Sequence, residues 1–97
     1  MKDCNSLEEL RNEVDKVDDQ IVDLIAERNR YIHQASKFKK SIDEIKADDR
    51  IEAVLNRVRH RALTEGVSPN LVTEIYRKMI DEMVEAEIAE FRNINTF

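Results

Sequence analysis

Behind Ser6 the chain carries apolar side chains at intervals of three and four: Leu7, Leu10, Val14, Val17, Ile21, Leu24, then Arg28, Tyr31, Ala35, Phe38 and Ile42. That spacing returns each side chain to one face of a helix. Every seam position except Arg28 is apolar or aromatic. Ser6 followed by Glu9 predicts the start, because the hydroxyl can accept from an early backbone N–H while the Glu reaches back. Neither Gly nor Pro occurs between residues 7 and 65, so the break is expected where Ser, Asp and Lys gather, in residues 41–49. Asp49 with Glu52 repeats the capping pattern and predicts a second helix with Ile51, Val54, Leu55, Val58, Ala62 and Leu63 on one face. Gly66 is placed to close it as a left-handed cap. Ser68 and Pro69 then read as N-cap and first residue of a third helix running to about Arg92. Its apolar side is Leu71, Val72, Ile75, Tyr76, Met79, Ile80, Met83, Val84, Ile88 and Phe91. The expected fold is all-α: three helices, the first very long.

Composition narrows the picture. One Gly and one Pro in 97 residues leave almost no turn punctuation for a sheet protein, and the length suits a single domain over residues 1–97. A net charge of -5 argues against nucleic acid as partner, so any anion site must be local. No apolar run reaches the roughly 20 residues of a membrane span and no signal peptide is apparent, so the default expectation is the cytoplasm, off the membrane. The single Cys4 and the widely spaced His33 and His60 offer neither a disulfide nor a metal-ligand cluster. All three read as ordinary residues. Length also bears on assembly. A first helix of about 35 residues would span roughly 50 Å, against a radius of gyration near 13 Å for a compact globule of this size. Its seam would overhang in water, which predicts an obligate, intertwined homodimer.

A few residues break the pattern. Arg28 stands where an apolar residue is due, and a guanidinium leaning inward needs a partner, either a carboxylate of the protein or a ligand. Lys39, eleven residues on, would project from nearly the same face if the first helix continued, roughly 16 Å further along. Two such cations could hold a small dianion, although Lys39 alone reads as a solvated lysine. Glu87 falls on the flank of the third helix's apolar stripe, within an acidic stretch in which an exposed or salt-bridged Glu is the plain reading. Arg50, in the first turn of the second helix, gains nothing from the helix dipole and could be solvated. On pattern alone Arg11 is a surface residue.

Taken together, Leu-Glu-Glu-Leu-Arg11-Asn-Glu-Val-Asp-Lys-Val-Asp18, Ala-Glu-Arg28, Ser-Lys-Phe-Lys39 and Asp-Arg50 resemble the signature of the all-helical chorismate mutase family, in order and in spacing over nearly the whole chain. Asp3-Cys4 and Tyr31 with Ala35-Ser-Lys-Phe-Lys39 are similar to its isochorismate pyruvate lyase branch. The resemblance implies an intertwined dimer of three-helix protomers, each site built mostly from one chain and completed by an arginine of the other, here Arg11. It implies that Arg11 and Arg28 hold substrate carboxylates and that Lys39 reaches a carboxylate and the ether oxygen. Arg50 joins the binding set, and Glu87 stands where many members carry Gln and some Glu, facing the same oxygen. The chain departs from dedicated mutases in having Ala47 and Ile51 where acids commonly contact the ring hydroxyl, and Met83 where a small hydroxyl-bearing residue is common.

The resemblance thus implies a cofactor-free pericyclic enzyme acting on a small dianionic enolpyruvyl ether. Chorismate would be rearranged to prephenate, or isochorismate would eliminate pyruvate to give salicylate. The departures favour the lyase, with mutase activity alongside; a dedicated mutase of aromatic amino acid biosynthesis is the alternative. Neither reaction needs a nucleophile or a metal, only cations and donors that hold a flexible dianion in its reactive conformer and stabilise charge on the breaking ether oxygen. The competing class is a non-enzymatic helical dimer whose buried cations pair with its own acids.

Overall fold

A computed structural model describes residues 1–95, with side chains through Asn93. It contains α1 (Leu7–Ser36), a short α2 (Ile42–Lys46), α3 (Asp48–Glu65) and α4 (Pro69–Asn95), and no strand among the described residues. The fold is therefore all-α, with three long helices and a five-residue helical piece between the first two. The chain divides into two compact units, Met1–Ile32 and His33–Phe97.

The first unit holds most of α1. The Ser6 hydroxyl accepts from Glu9 N–H at 3.1 Å and the Glu9 carboxylate accepts from Asn5 N–H at 3.2 Å, the reciprocal cap expected there. Lys2 pairs with Glu9 at 3.1 Å and Glu13 at 3.4 Å, and Lys16 also reaches Glu13; exposed pairs of this kind contribute little stability. No residue of α1 is buried, and the seam residues Val14 and Ile21 are each 50% exposed.

α1 is 30 residues long and stops at Ser36, so the expected continuation through Phe38 to Ile42 is corrected. Its end tightens through three i→i+3 bonds from the N–H groups of Lys37, Phe38 and Lys39, and the Ser36 hydroxyl donates to the His33 carbonyl at 2.6 Å. Ser41 then caps α2, accepting from Glu44 N–H at 3.2 Å while the Glu44 carboxylate accepts from Lys40 N–H. Ser41-Ile-Asp-Glu44 is thus a second reciprocal cap. Its local hydrogen bonds outweigh the seam, which persists in sequence after the helix has ended. Lys39 consequently lies in the connection and not on the face of α1.

Ala47 closes α2 and opens α3 with φ 37° and ψ 57°, the only non-glycine with positive φ among the described residues. This corrects the expected start at Asp49. Asp48 and Asp49 instead occupy the first turn of α3, where carboxylates complement the helix dipole. Gly66 follows α3 at φ 73°, its N–H bonding Leu63 O at 3.3 Å while Val67 N–H bonds Ala62 O at 2.9 Å. These paired bonds form a Schellman closure. Ser68 accepts from Leu71 N–H at 3.2 Å and Pro69 begins α4, as expected.

α2 and α3 both pack against α4, and the core of this second unit is Ile45, Leu55, Ala62 and Ile80. Leu63, expected on the inner face, is 62% exposed, and Leu71 and Ile75 are also exposed. Among the described residues, those buried on α4 are Thr73, Ile80 and Glu87, spaced by seven, which is close to two turns. Leu71 and Ile75 lie off that line. Glu87 does not flank the buried stripe, as the pattern suggested, but stands on it.

Candidate functional site

Most of the second unit's candidate chemistry gathers around Glu87. Its residue surface is only 9% exposed, and its Oε2 is buried without a hydrogen-bond partner among the described residues. Thr73, two heptads earlier on the same line, is satisfied locally: its hydroxyl donates to the Pro69 carbonyl at 2.7 Å. Glu87 has no such bond at Oε2 and keeps an unused polar atom on the buried line. Burial of such a group disfavours its charged form.

Burial accordingly pushes the Glu87 carboxyl above its ordinary value; the charge of Lys39 opposes this, Glu90 adds to it and His33 opposes it again. Desolvation outweighs the attraction of Lys39, a balance that cannot be ranked from sequence. A carboxyl that keeps its proton can donate one O–H bond, where a carboxylate can only accept.

Lys39 is half-buried in the connection between α1 and α2. Its Nζ donates to the Glu44 carbonyl at 3.0 Å, fixing the ammonium against the first turn of α2. An ammonium has three donors, so this bond leaves capacity for a ligand. His33, in the last turn of α1, places Nδ1 3.1 Å from Glu90 Oε2. The structure thus assembles Lys39, Glu87, Glu90 and His33 from three stretches of chain. Glu87 and Lys39 were candidates. His33 and Glu90 were not, and no local pattern marks them, because their pairing depends on the end of α1 meeting α4.

The remaining candidates belong to other elements. Arg50 is in the first turn of α3 and exposed. Arg11 and Arg28 belong to the first unit, Arg11 exposed and Arg28 half-buried; Arg28 is engaged with neighbouring groups. Ala47 forms the left-handed joint between α2 and α3. Ile51 lines an open groove of about 410 Å³ together with Val84 and Ile88. An adjoining groove of about 370 Å³ shares Lys46, Glu85 and Ile88 with it. Neither includes Glu87 or Lys39. Among the described residues no His, Cys, Asp and Glu group is placed to hold a metal, and no helix is long and apolar enough to cross a membrane.

A tethered ammonium together with a carboxyl in its protonated form can bind one anionic group and donate to a neighbouring oxygen. Comparison with known proteins bears on which anion that is. The sequence model of the family described as chorismate mutase type II matches residues 10–88. A curated protein of Pseudomonas aeruginosa named isochorismate pyruvate lyase is 29% identical over 91 residues, covering 94% of this chain and 90% of its own length.

Proposed function

The chain belongs to the chorismate mutase type II family, an isomerase or lyase, and from that premise we propose that it eliminates pyruvate from isochorismate, giving salicylate, with weaker rearrangement of chorismate. In both reactions the enolpyruvyl ether C–O bond breaks. In the elimination, a ring hydrogen passes to the enolpyruvyl methylene as that bond breaks. In the rearrangement, a C–C bond forms instead. The protein's task is to hold the dianion in its compact conformer and to stabilise negative charge on the ether oxygen.

The observation that carries this reading is the buried, unpartnered Glu87 Oε2, with Lys39 acting on the same carboxyl. Lys39 serves a substrate carboxylate and the ether oxygen, and Glu87 in its protonated form donates to that oxygen. Arg28 and Arg50 bind carboxylates or ring substituents, and Arg11 is donated by the partner in an intertwined homodimer. Support for the dimer is the α1 seam, with Val14 and Ile21 each half exposed in one chain. Support for the lyase comes from Ala47 and Ile51, which cannot make the polar ring contacts that acids would make, and from the name of the Pseudomonas aeruginosa relative. The family description itself favours the second reading, a dedicated chorismate mutase.

Turnover of each purified isomer decides between them. We expect the higher kcat/KM on isochorismate, because a site lacking polar contacts to a substrate hydroxyl loses discrimination in favour of the isomer that needs them. A tenfold preference for chorismate reverses the assignment. Refolding inactive Arg11→Ala with inactive Arg28→Ala chains tests the shared site. A mixed dimer would carry one pocket with both defects and one with neither, so partial recovery is expected. Mixed dimers without recovery would return Arg11 to the surface role that its position alone suggests.

A further inference from the structure

We propose that Glu44 and Ser41 are positioning residues for Lys39: the cap they form at the start of α2 clasps this lysine at its backbone and at its tip, so that the ammonium is in place before a substrate carboxylate arrives. The proposal rests on the reading of Lys39 as a substrate-binding cation. Its geometry is a set of hydrogen bonds that converge on one residue. The Glu44 carbonyl accepts from Lys39 Nζ at 3.0 Å, and the Glu44 carboxylate accepts from Lys40 N–H, the amide of the peptide bond that joins Lys39 to Lys40. On the other side, Lys39 N–H donates to the Ser36 carbonyl at 3.1 Å. Both peptide groups flanking Lys39, and its terminal nitrogen, are therefore held. Glu44 is held in turn, because its N–H donates to the Ser41 hydroxyl at 3.2 Å and the next N–H, of Ile45, donates to the Ser41 carbonyl at 3.3 Å.

A helix of five residues does not stabilise itself, since nucleation fixes several residues for its first bond. Ile45, 3% exposed where α2 packs on α4, anchors the helix but not the connection that precedes it. The cap at Ser41 and Glu44 supplies what the anchor does not. Lysine is a flexible stem with large rotamer entropy, which an untethered Lys39 would lose on meeting its substrate. The clasp moves that loss into folding, and preorganisation of this kind favours binding and reactive geometry together. One carbonyl occupies one of the three ammonium donors, so the tether leaves the others for a ligand. Glu44 is exposed and Ser41 half-buried, so neither substitution removes a core side chain.

The test is reductive methylation of lysines in the folded full-length protein, without substrate, followed residue by residue by mass spectrometry, alongside kcat/KM on isochorismate and on chorismate. An amine tied to a carbonyl reacts more slowly than a free one, and the exposed Lys78 of α4 serves as the internal reference. We expect Glu44→Ala and Ser41→Ala each to speed methylation of Lys39 relative to Lys78 by about fivefold, the effect of losing one cap bond, and to lower kcat/KM by about as much. Glu44→Gln should match wild type in both, because its side-chain carbonyl still accepts from Lys40 N–H. Unchanged labelling of Lys39 in Glu44→Ala and Ser41→Ala overturns the proposal, and so does equal acceleration at Lys78, the mark of general loosening. Glu44→Gln behaving like Glu44→Ala overturns it as well, since charge and not the clasp would then hold the lysine. Faster labelling in the expected order with undiminished kcat/KM, or in a protein inactive on both isomers, would instead overturn the role given to Lys39 and uphold the clasp.

Discussion

The two units meet the demands of their hydrophobic patterns differently. In the unit from His33 onward, α2 and α3 cover α4, and Ile45, Leu55, Ala62 and Ile80 are buried within one chain. In the Met1–Ile32 unit the apolar repeat is longer and more regular, yet none of its residues is buried. A seam with this period is the pattern of a helix that meets another helix. The proposed dimer would supply that second helix from another copy of the chain.

The largest expected effect breaks this contrast at α1. Ile21→Asp would be nearly silent, within ±0.5 kcal/mol, if the side chain stayed solvated. If a second chain covers it, the buried charge costs about 3 kcal/mol or more, and sedimentation at low micromolar concentration should show dissociation with loss of helicity and turnover. A folded, active monomer, in the variant or in the parent protein, would contradict the dimer.

Leu55→Ala sharpens the other side. Leu55 is buried between helices of one chain, and its truncation should cost about 2–4 kcal/mol. Denaturant unfolding should show that this loss is the same at every protein concentration, whereas the loss at Ile21 shrinks on dilution, as the parent dimer gives up the stability that association lends it.

Glu87→Gln comes next. The folded-state value of Glu87 is raised, mainly by burial. The folded form therefore binds more protons than the unfolded chain between the two values, and wild-type stability falls as pH rises through the folded value. The amide removes that loss. Its melting temperature should exceed that of wild type at pH 8, with the gap closing as the pH falls toward 4. In turnover, Glu87→Gln should retain activity and lose the alkaline limb, since an N–H donor persists at every pH. Identical pH–rate profiles for the two proteins would remove Glu87 from the site.

The smallest effect concerns the joint inside the second unit. Ala47 adopts φ 37°, a left-handed conformation that costs a residue with a Cβ about 1 kcal/mol. Ala47→Gly should relieve it and raise stability by about 0.5–1 kcal/mol, measured by thermal melting, less whatever entropy the unfolded chain gains.

Much of this molecule is specified over short distances, and there the amino-acid sequence by itself determined the outcome. The caps at Ser6, Gly66 and Ser68, the absence of strands among the described residues and the family signature all rest on residues within a few positions of one another or on a simple period. Even the end of α1 was written locally, in Ser41-Ile-Asp-Glu44, although the uninterrupted seam through Phe38 and Ile42 masks it. The tertiary structure decided what depends on distant segments meeting. Sequence places Glu87 in an acidic run, where solvation is the natural reading; only the packing of α2 and α3 on α4 shows that it lies on the buried line of Thr73 and Ile80. Likewise the balance between desolvation and Lys39, and the meeting of His33 with Glu90, depend on three stretches of chain converging. Hydrogen bonds of a cap close within one turn, whereas burial and charge act through space, on whichever side chains folding has brought near.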